Sequence, residues 1–336
     1  MKIYTAHPGK HIEGLILGEV DPPPLGPRDV RVRMRAASLN RRDLMVVSGD
    51  YGLGEAPVVP LSDGAGEVVA IGSEVGRFEV GERVIASFFP DWIDGTPEPP
   101  RTRAALGGSR PGVLAQEVVL DERAWVRIPA HLDAVEAATL PCAGVTAWNA
   151  LFECGDPRPG ERVLLLGTGG VSIWGLSLAH AAGFETFVTS SSDEKLERAE
   201  GLGADHVINY RVHPEWDREV QRITSGEGVH RVLEVGGEST LGRSSASLRP
   251  GGTVALVGGL GGFGGALGPL DLILGAKKAF GIFVGSRRML EDLVRFVEAK
   301  ELRPVVDRTF DFDDARAAYA HLESGHHFGK VVITMS

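Results

Sequence analysis

From about residue 160 the chain alternates short Val-, Leu- and Ile-rich runs with segments of helical period, and this alternation restricts the fold more than any other feature. Six runs stand out: RVLLL (162–166), ETFVT (185–189), HVIN (206–209), RVLEV (231–235), TVALV (253–257) and AFGIFV (279–284). Runs that are apolar throughout suit strands buried on both faces, the situation of a parallel sheet covered by helices. Between the first two runs, Val171, Trp174, Gly175, Leu178, Ala179 and Ala182 recur at the spacing of one helix face. The segment reads as strand, turn, helix, strand.

The first 125 residues have a different texture. VRVRMRAAS (30–38), GEVVAIG (66–72) and ERVIAS (82–87) are strand candidates divided by Gly and Pro clusters, which predicts a separate β-rich domain. With 336 residues the chain can bury two cores. Residues 90–112, rich in Pro, Gly and charge, read as a long surface loop. After residue 284 come a helix (MLEDLVRFVEAKE), VVDRTFDF, a second helix (DDARAAYAHLESG) and a strand (KVVIT), a tail too small for a domain of its own. It is expected to return to the N-terminal domain, giving the division 1–127 with 283–336, and 128–282.

Composition excludes several function classes. Hydrophobic residues make up 43% and charged residues 24%, and no apolar stretch approaches the roughly 18 residues of a membrane span. The N-terminus lacks a secretory pattern, so a cytoplasmic protein is expected. A formal charge of −10 without a block of Lys or Arg argues against nucleic acid as partner. Two cysteines, Cys142 and Cys154, are too few for a disulfide framework or a Cys-rich zinc module, and the ten histidines are scattered.

In LLLGTGGVSIWG, Gly167 and Gly169 fall between strand and helix, matching two glycines of a dinucleotide turn, with Gly170 and Val171 opening the helix and Ser172 at the third place. Glycine lets the chain turn tightly and the backbone approach a pyrophosphate at the helix N-terminus. The second strand runs into TSSSDEK (189–195), where such chains present a carboxylate to the adenosine ribose. Three serines remove the group that would repel a 2′-phosphate. Ser190, Ser191 and Ser192 offer hydroxyl donors and Lys195 positive charge, so NADP(H) is the expected cofactor. The same residues also suit a helix cap, and the two roles are compatible.

ASLNRRD (37–43), DGAGEVVAIGSEV (63–75), VGERV (80–84), LPCAGVTAW (140–148), GTGGVS, LGADHVINY (202–210) and FGKVVI (328–333) occur in this order over nearly the whole chain. Together they resemble the medium-chain dehydrogenase/reductase superfamily and, within it, the zinc-free branch that includes quinone oxidoreductases. The resemblance implies an α/β chain, with a GroES-like β domain plus a Rossmann domain built on a doubly wound parallel sheet. Zinc-dependent relatives hold a catalytic metal with a Cys, a His and a second Cys; the corresponding places here are Asn40, Ser62 and Cys142, so no metal is expected. Cys142 is read as a small buried residue.

By the same resemblance, Asn40 contacts the nicotinamide side, Tyr51 offers a phenolic donor or is a rim aromatic, and Asp43 belongs to the site or only caps the loop. Thr146 orients the nicotinamide end, and Tyr210 lies beside the 2′-phosphate. Gly258 and Gly259 let the ring lie against backbone, within a GGLGGFGG run read as a mobile stretch. The backbone of Phe283 and Val284 fixes the carboxamide. Lys330 is assigned to the cofactor phosphates or to an exposed strand position. The substrate expected is a small electrophile, a quinone or activated alkene or carbonyl. Alternatives are a zinc-free alcohol dehydrogenase and a catalytically idle, crystallin-like NADPH-binding protein. Family dimers join through the last strand, so a homodimer is expected.

Overall fold

The computed structural model describes residues 1–264 and 267–335. Gly265 and Ala266, at the end of the GGLGGFGG run, lie outside the described residues. The chain divides into two compact units, Met1–Val145 with the segment from Gly285 onward, and Thr146–Val284. The first junction therefore falls after the expected 127, because Leu132, Ala137 and Leu140 are buried within the first unit.

In the second unit, all six expected runs form one sheet. Its order is His206–Asn209, Glu185–Ser190, Arg162–Leu166, Val229–Glu234, Leu248–Leu256, Lys278–Gly281, and every pairing is parallel. The order reverses on either side of Arg162–Leu166, the switch point outside which such sheets bind ligands at their carboxyl ends. The last strand is shorter than the run AFGIFV: it ends at Gly281, and Val284 further on takes a left-handed φ of +53°. The helix Gly170–Ala181 lies close on the sheet at Gly175, where a Cβ would come within 2.9 Å of Leu165 and 3.0 Å of Leu233.

The first unit holds a mostly antiparallel sheet whose central strand is Asp29–Ser38. Asp63–Ile71 pairs with it on one side and the final strand Lys330–Thr334 on the other, with Ser38 opposite both Asp63 and Val332. Beyond Lys330–Thr334, in parallel, lies Val306–Asp311. The tail thus completes the N-terminal unit, as its size predicts. Residues 90–112 meet the surface-loop expectation only in part: 94–100 are exposed, whereas Trp92, Ala105 and Leu106 are buried and Pro99–Thr102 forms a helical turn. Gly107, at φ +64°, and Gly112 explain this, because both pass so near Leu61 that a Cβ would strike its backbone. No helix among the described residues is long and apolar enough to cross a membrane.

The close approach at Gly175 gives a stability prediction. Gly175→Val should lower stability by about 2 kcal/mol, because the core must yield to the new side chain. The denaturation midpoint should fall with the denaturant slope unchanged; an unchanged midpoint would show that the helix sits loosely on the sheet.

Candidate active site

In the first unit, sheet register brings four segments together. The strand Asp29–Ser38 ends beside Asp63 and Val332, and Leu39 N–H donates to Val331 O at 3.0 Å. Asn40 then starts the helix Arg41–Ser48, and its N–H donates to Asp43 Oδ2 at 2.7 Å. Asp43 is thus a helix-capping residue at the place where the backbone leaves its donors unpaired. Leu44, Val46 and Val47 are buried on this helix.

Lys330 corrects its sequence assignment. Its side chain is 3% exposed, so it is not the exposed strand lysine that was one of the two expectations. The ammonium donates to Leu39 O and Asn40 Oδ1, each at 2.6 Å, and lies 3.8 Å from Asp63 Oδ2. Asp63 is fully buried, accepting from Ser62 Oγ at 2.6 Å and from Cys142 N–H at 3.2 Å. Burial pushes the Asp63 carboxyl above its usual range, with Lys330 the strongest opposing influence, followed by Ser62 and the Asn40 amide. Cys142 is half-buried, and desolvation, reinforced by Asp63, pushes its thiol well up.

This donor set does not suit zinc. Asn40 spends its amide oxygen on Lys330 and Ser62 its hydroxyl on Asp63, which leaves Cys142 as the one side chain of the three that zinc ordinarily takes. Among the described residues no three His, Cys, Asp or Glu side chains form a group able to hold a metal ion.

Tyr51 lies under Arg42, whose guanidinium sits 4.6 Å from its ring centre and 4.9 Å from that of Phe88. Arg42 also donates to the carbonyls of Leu106 and Gly107, at 2.7 and 3.2 Å. It therefore ties Tyr51 to the buried part of segment 90–112, a role that sequence reasoning missed.

In the second unit the glycine turn has the expected form. Gly167 has φ +73°, and a Cβ at Gly167 or Gly169 would meet nothing within 4 Å. The space beside these two residues is unfilled, and Gly170 and Val171 begin the helix that follows the turn. Ser172, at the third position, turns its hydroxyl back to Leu166 O at 2.6 Å. Close helix–sheet packing, the usual duty of a third glycine, falls to Gly175.

At the adenosine end, Ser192 caps the helix Asp193–Gly201 by accepting from Lys195 N–H. Ser190 is buried, accepting from Ser192 N–H, while Ser191 and Ser192 are half-buried. Tyr210 N–H donates to Ser190 O at 3.0 Å, which places Tyr210, 41% exposed, and the exposed Arg211 beside the serines. Arg211 was not singled out from the sequence.

At the same carboxyl end of the sheet, on the other side of Arg162–Leu166, the turns are organised by Glu234, also unforeseen. Its buried carboxylate accepts from Gly236 N–H at 2.6 Å, Gly237 N–H at 2.9 Å, Thr240 Oγ1 at 2.6 Å and Ser244 Oγ. Its carbonyl accepts from Val257 and Gly258, so one residue fixes two neighbouring turns. Gly259 must lack a side chain, because a Cβ would lie 2.7 Å from Gly262 O. Val284 O accepts from Asn149 Nδ2 at 2.9 Å, Phe283 is half-exposed and Thr146 is buried.

Asp43 gives a pH prediction. Burial pushes its carboxyl up to about 6, against the influence of Arg42 and the Asn40 N–H. A carboxyl that holds its proton more tightly when folded contributes less stability as pH rises from about 4 to 6. Asp43→Asn should therefore gain on the wild type by up to roughly 3 kcal/mol between pH 4 and pH 7, read from urea midpoints. A difference that does not change with pH would rule this out.

Comparison with known proteins agrees with the geometry. Residues 26–130 match the family described as alcohol dehydrogenase GroES-like domain, and residues 202–333 that described as zinc-binding dehydrogenase. A zinc-type alcohol dehydrogenase-like protein of Schizosaccharomyces pombe is 46% identical over 320 residues, covering 93% of this chain and 92% of that protein. The solved structure of an NAD-dependent alcohol dehydrogenase superposes with a TM-score of 0.91 at 32% identity, covering 100% of both chains. A quinone oxidoreductase of Pseudomonas syringae pv. Tomato DC3000 gives 0.83 at 26% identity, covering 99% of both. A two-unit chain with an open glycine turn at a parallel-sheet switch point, and relatives of this similarity over nearly full length, belongs to the medium-chain dehydrogenase/reductase superfamily of oxidoreductases.

Proposed function

We propose that the chain is an NADPH-dependent oxidoreductase that passes hydride to quinones or activated alkenes and carbonyls without a metal at the reacting centre. The observation that carries this reading is the state of the three zinc-ligand positions: an amide engaged by an ammonium, a hydroxyl engaged by a carboxylate, and a single thiol as the one remaining zinc-binding side chain. Zinc would polarise a carbonyl by several kcal/mol, and each 1.36 kcal/mol is tenfold in rate. A site with neutral donors in its place suits acceptors that already delocalise the charge brought by hydride.

The nicotinamide supplies the hydride when bound. Gly167, Gly169, Gly170 and Val171 would hold its pyrophosphate, and Thr146, Gly258, Gly259, Phe283 and Val284 its nicotinamide end. Asn40 then donates to the acceptor oxygen as negative charge gathers there, and Tyr51 or water supplies the proton. Preference for the phosphorylated cofactor is supported by Ser191, Ser192 and Lys195, with Tyr210 and Arg211 beside them. We also propose a homodimer through Lys278–Gly281, an edge strand exposed along its length near the exposed Leu270, Ile273 and Leu274. Light scattering should give twice the chain mass; a monomer at micromolar concentration would reject it.

A zinc-free alcohol dehydrogenase is the second reading, favoured by the names of the S. pombe relative and the NAD-dependent structure. Steady-state rates with each cofactor against a quinone, an enone and simple alcohols decide between them. The expected result is faster turnover of quinone or enone, a higher kcat/KM for NADPH than for NADH, and no loss on dialysis against chelator. Faster turnover of a plain alcohol, or loss of activity with a stoichiometric zinc ion, would overturn the first reading.

A further inference from the structure

Asn209 ends the strand His206–Asn209, paired with Ser190 of the neighbouring strand. Its side chain has two polar neighbours: Nδ2 donates to Asp193 Oδ1 at 2.6 Å, and Oδ1 accepts from Arg211 N–H at 2.9 Å. A carboxylate accepts and a backbone N–H donates, so both neighbours select the same orientation of the amide. The Asn209 carbonyl accepts from the N–H groups of Val212 and His213, at 3.1 and 2.8 Å. One residue thus shapes the turn that follows its strand and holds the first residue of the helix Asp193–Gly201.

These contacts sort two opposite charges beside the serines. Asp193 follows Ser192 directly and is the one carboxylate in TSSSD, and its Oδ1 is turned to Asn209. Arg211 is exposed, and among the described residues its side chain makes no hydrogen bond or ion pair. Tyr210, between Asn209 and Arg211, is tied through its N–H to Ser190 O. We propose that Asn209 is a positioning residue for cofactor choice: it withholds the Asp193 carboxylate from the adenosine 2′ position and sets the turn from which Arg211 meets a phosphate there. The inference rests on the NADPH reading above. A ribose hydroxyl can donate to a carboxylate, whereas a phosphate is repelled by one, so releasing Asp193 shifts preference toward the unphosphorylated cofactor.

The test uses 2′,5′-ADP and 5′-AMP, the adenosine ends of the two cofactors, titrated calorimetrically into the full chain, and it reads the ratio of their affinities. Asn209→Ala should weaken 2′,5′-ADP about tenfold, the scale of one hydrogen bond to a charged group. Binding of 5′-AMP should be at least as tight as before, which also shows that the variant folds. Adding Asp193→Asn should recover more than half of the loss, although Asp193→Asn alone changes the wild-type ratio by less than about twofold. Arg211→Gln, at an exposed side chain, should lower the ratio by a factor similar to that of Asn209→Ala, and it decides the matter should Asn209→Ala fail to fold. Equal weakening of both ligands by Asn209→Ala, or an Arg211→Gln variant with an unchanged ratio, would overturn the proposal. A wild type that prefers 5′-AMP, with a ratio that still falls in these variants, would support the proposal and reject NADPH as the cofactor instead.

Discussion

A charge taken out of water must find its counterpart inside the protein, and the first unit is assembled around one such pair. Asp63 and Lys330 come from strands on opposite sides of Asp29–Ser38, so their meeting depends on the register of both pairings. A slip of one residue would turn either side chain to the other face and leave the other charge buried alone, which typically costs 3–5 kcal/mol. The pair therefore acts as a check on assembly of the three strands. The same charges hold Asn40, Ser62 and Cys142, so the contacts that define the register also define the chemistry available at the site.

The second unit uses a buried carboxylate in another way. Among the described residues Glu234 has no cationic partner; its carboxylate accepts from two backbone N–H groups and two hydroxyls at the carboxyl end of the sheet. Such an arrangement makes loops rigid, because each donor would be left unsatisfied if the turn opened. Rigidity is useful where a planar ligand must be held against backbone, and Gly258 and Gly259 follow directly from the segment that Glu234 fixes.

Much of this was legible in the sequence because the signals were local. The six apolar runs, the Gly167 turn and the Ser192 cap each depend on residues a few positions apart. What escaped was long-range. Lys330 meets Asn40 across 290 positions, and KVVIT carries nothing to show that its polar first residue faces inward. Segment 90–112 has the composition of a surface loop, yet Gly107 and Gly112 serve close contact with Leu61. The third glycine of the dinucleotide turn was sought at 172 and its packing role is found at Gly175, one helical turn on; motif spacing describes usual positions, whereas the physical requirement is only that some residue facing the sheet lack a side chain.

Val284 carries a consequence of its own. A β-branched residue at φ +53° sits in a region that glycine tolerates freely and valine does not, so the chain gives up stability there, on the order of 1–3 kcal/mol. Asn149 keeps the carbonyl pointed while this tension persists. Glycine would ease the tension yet slacken the peptide, so sturdiness and aim oppose each other at this one residue.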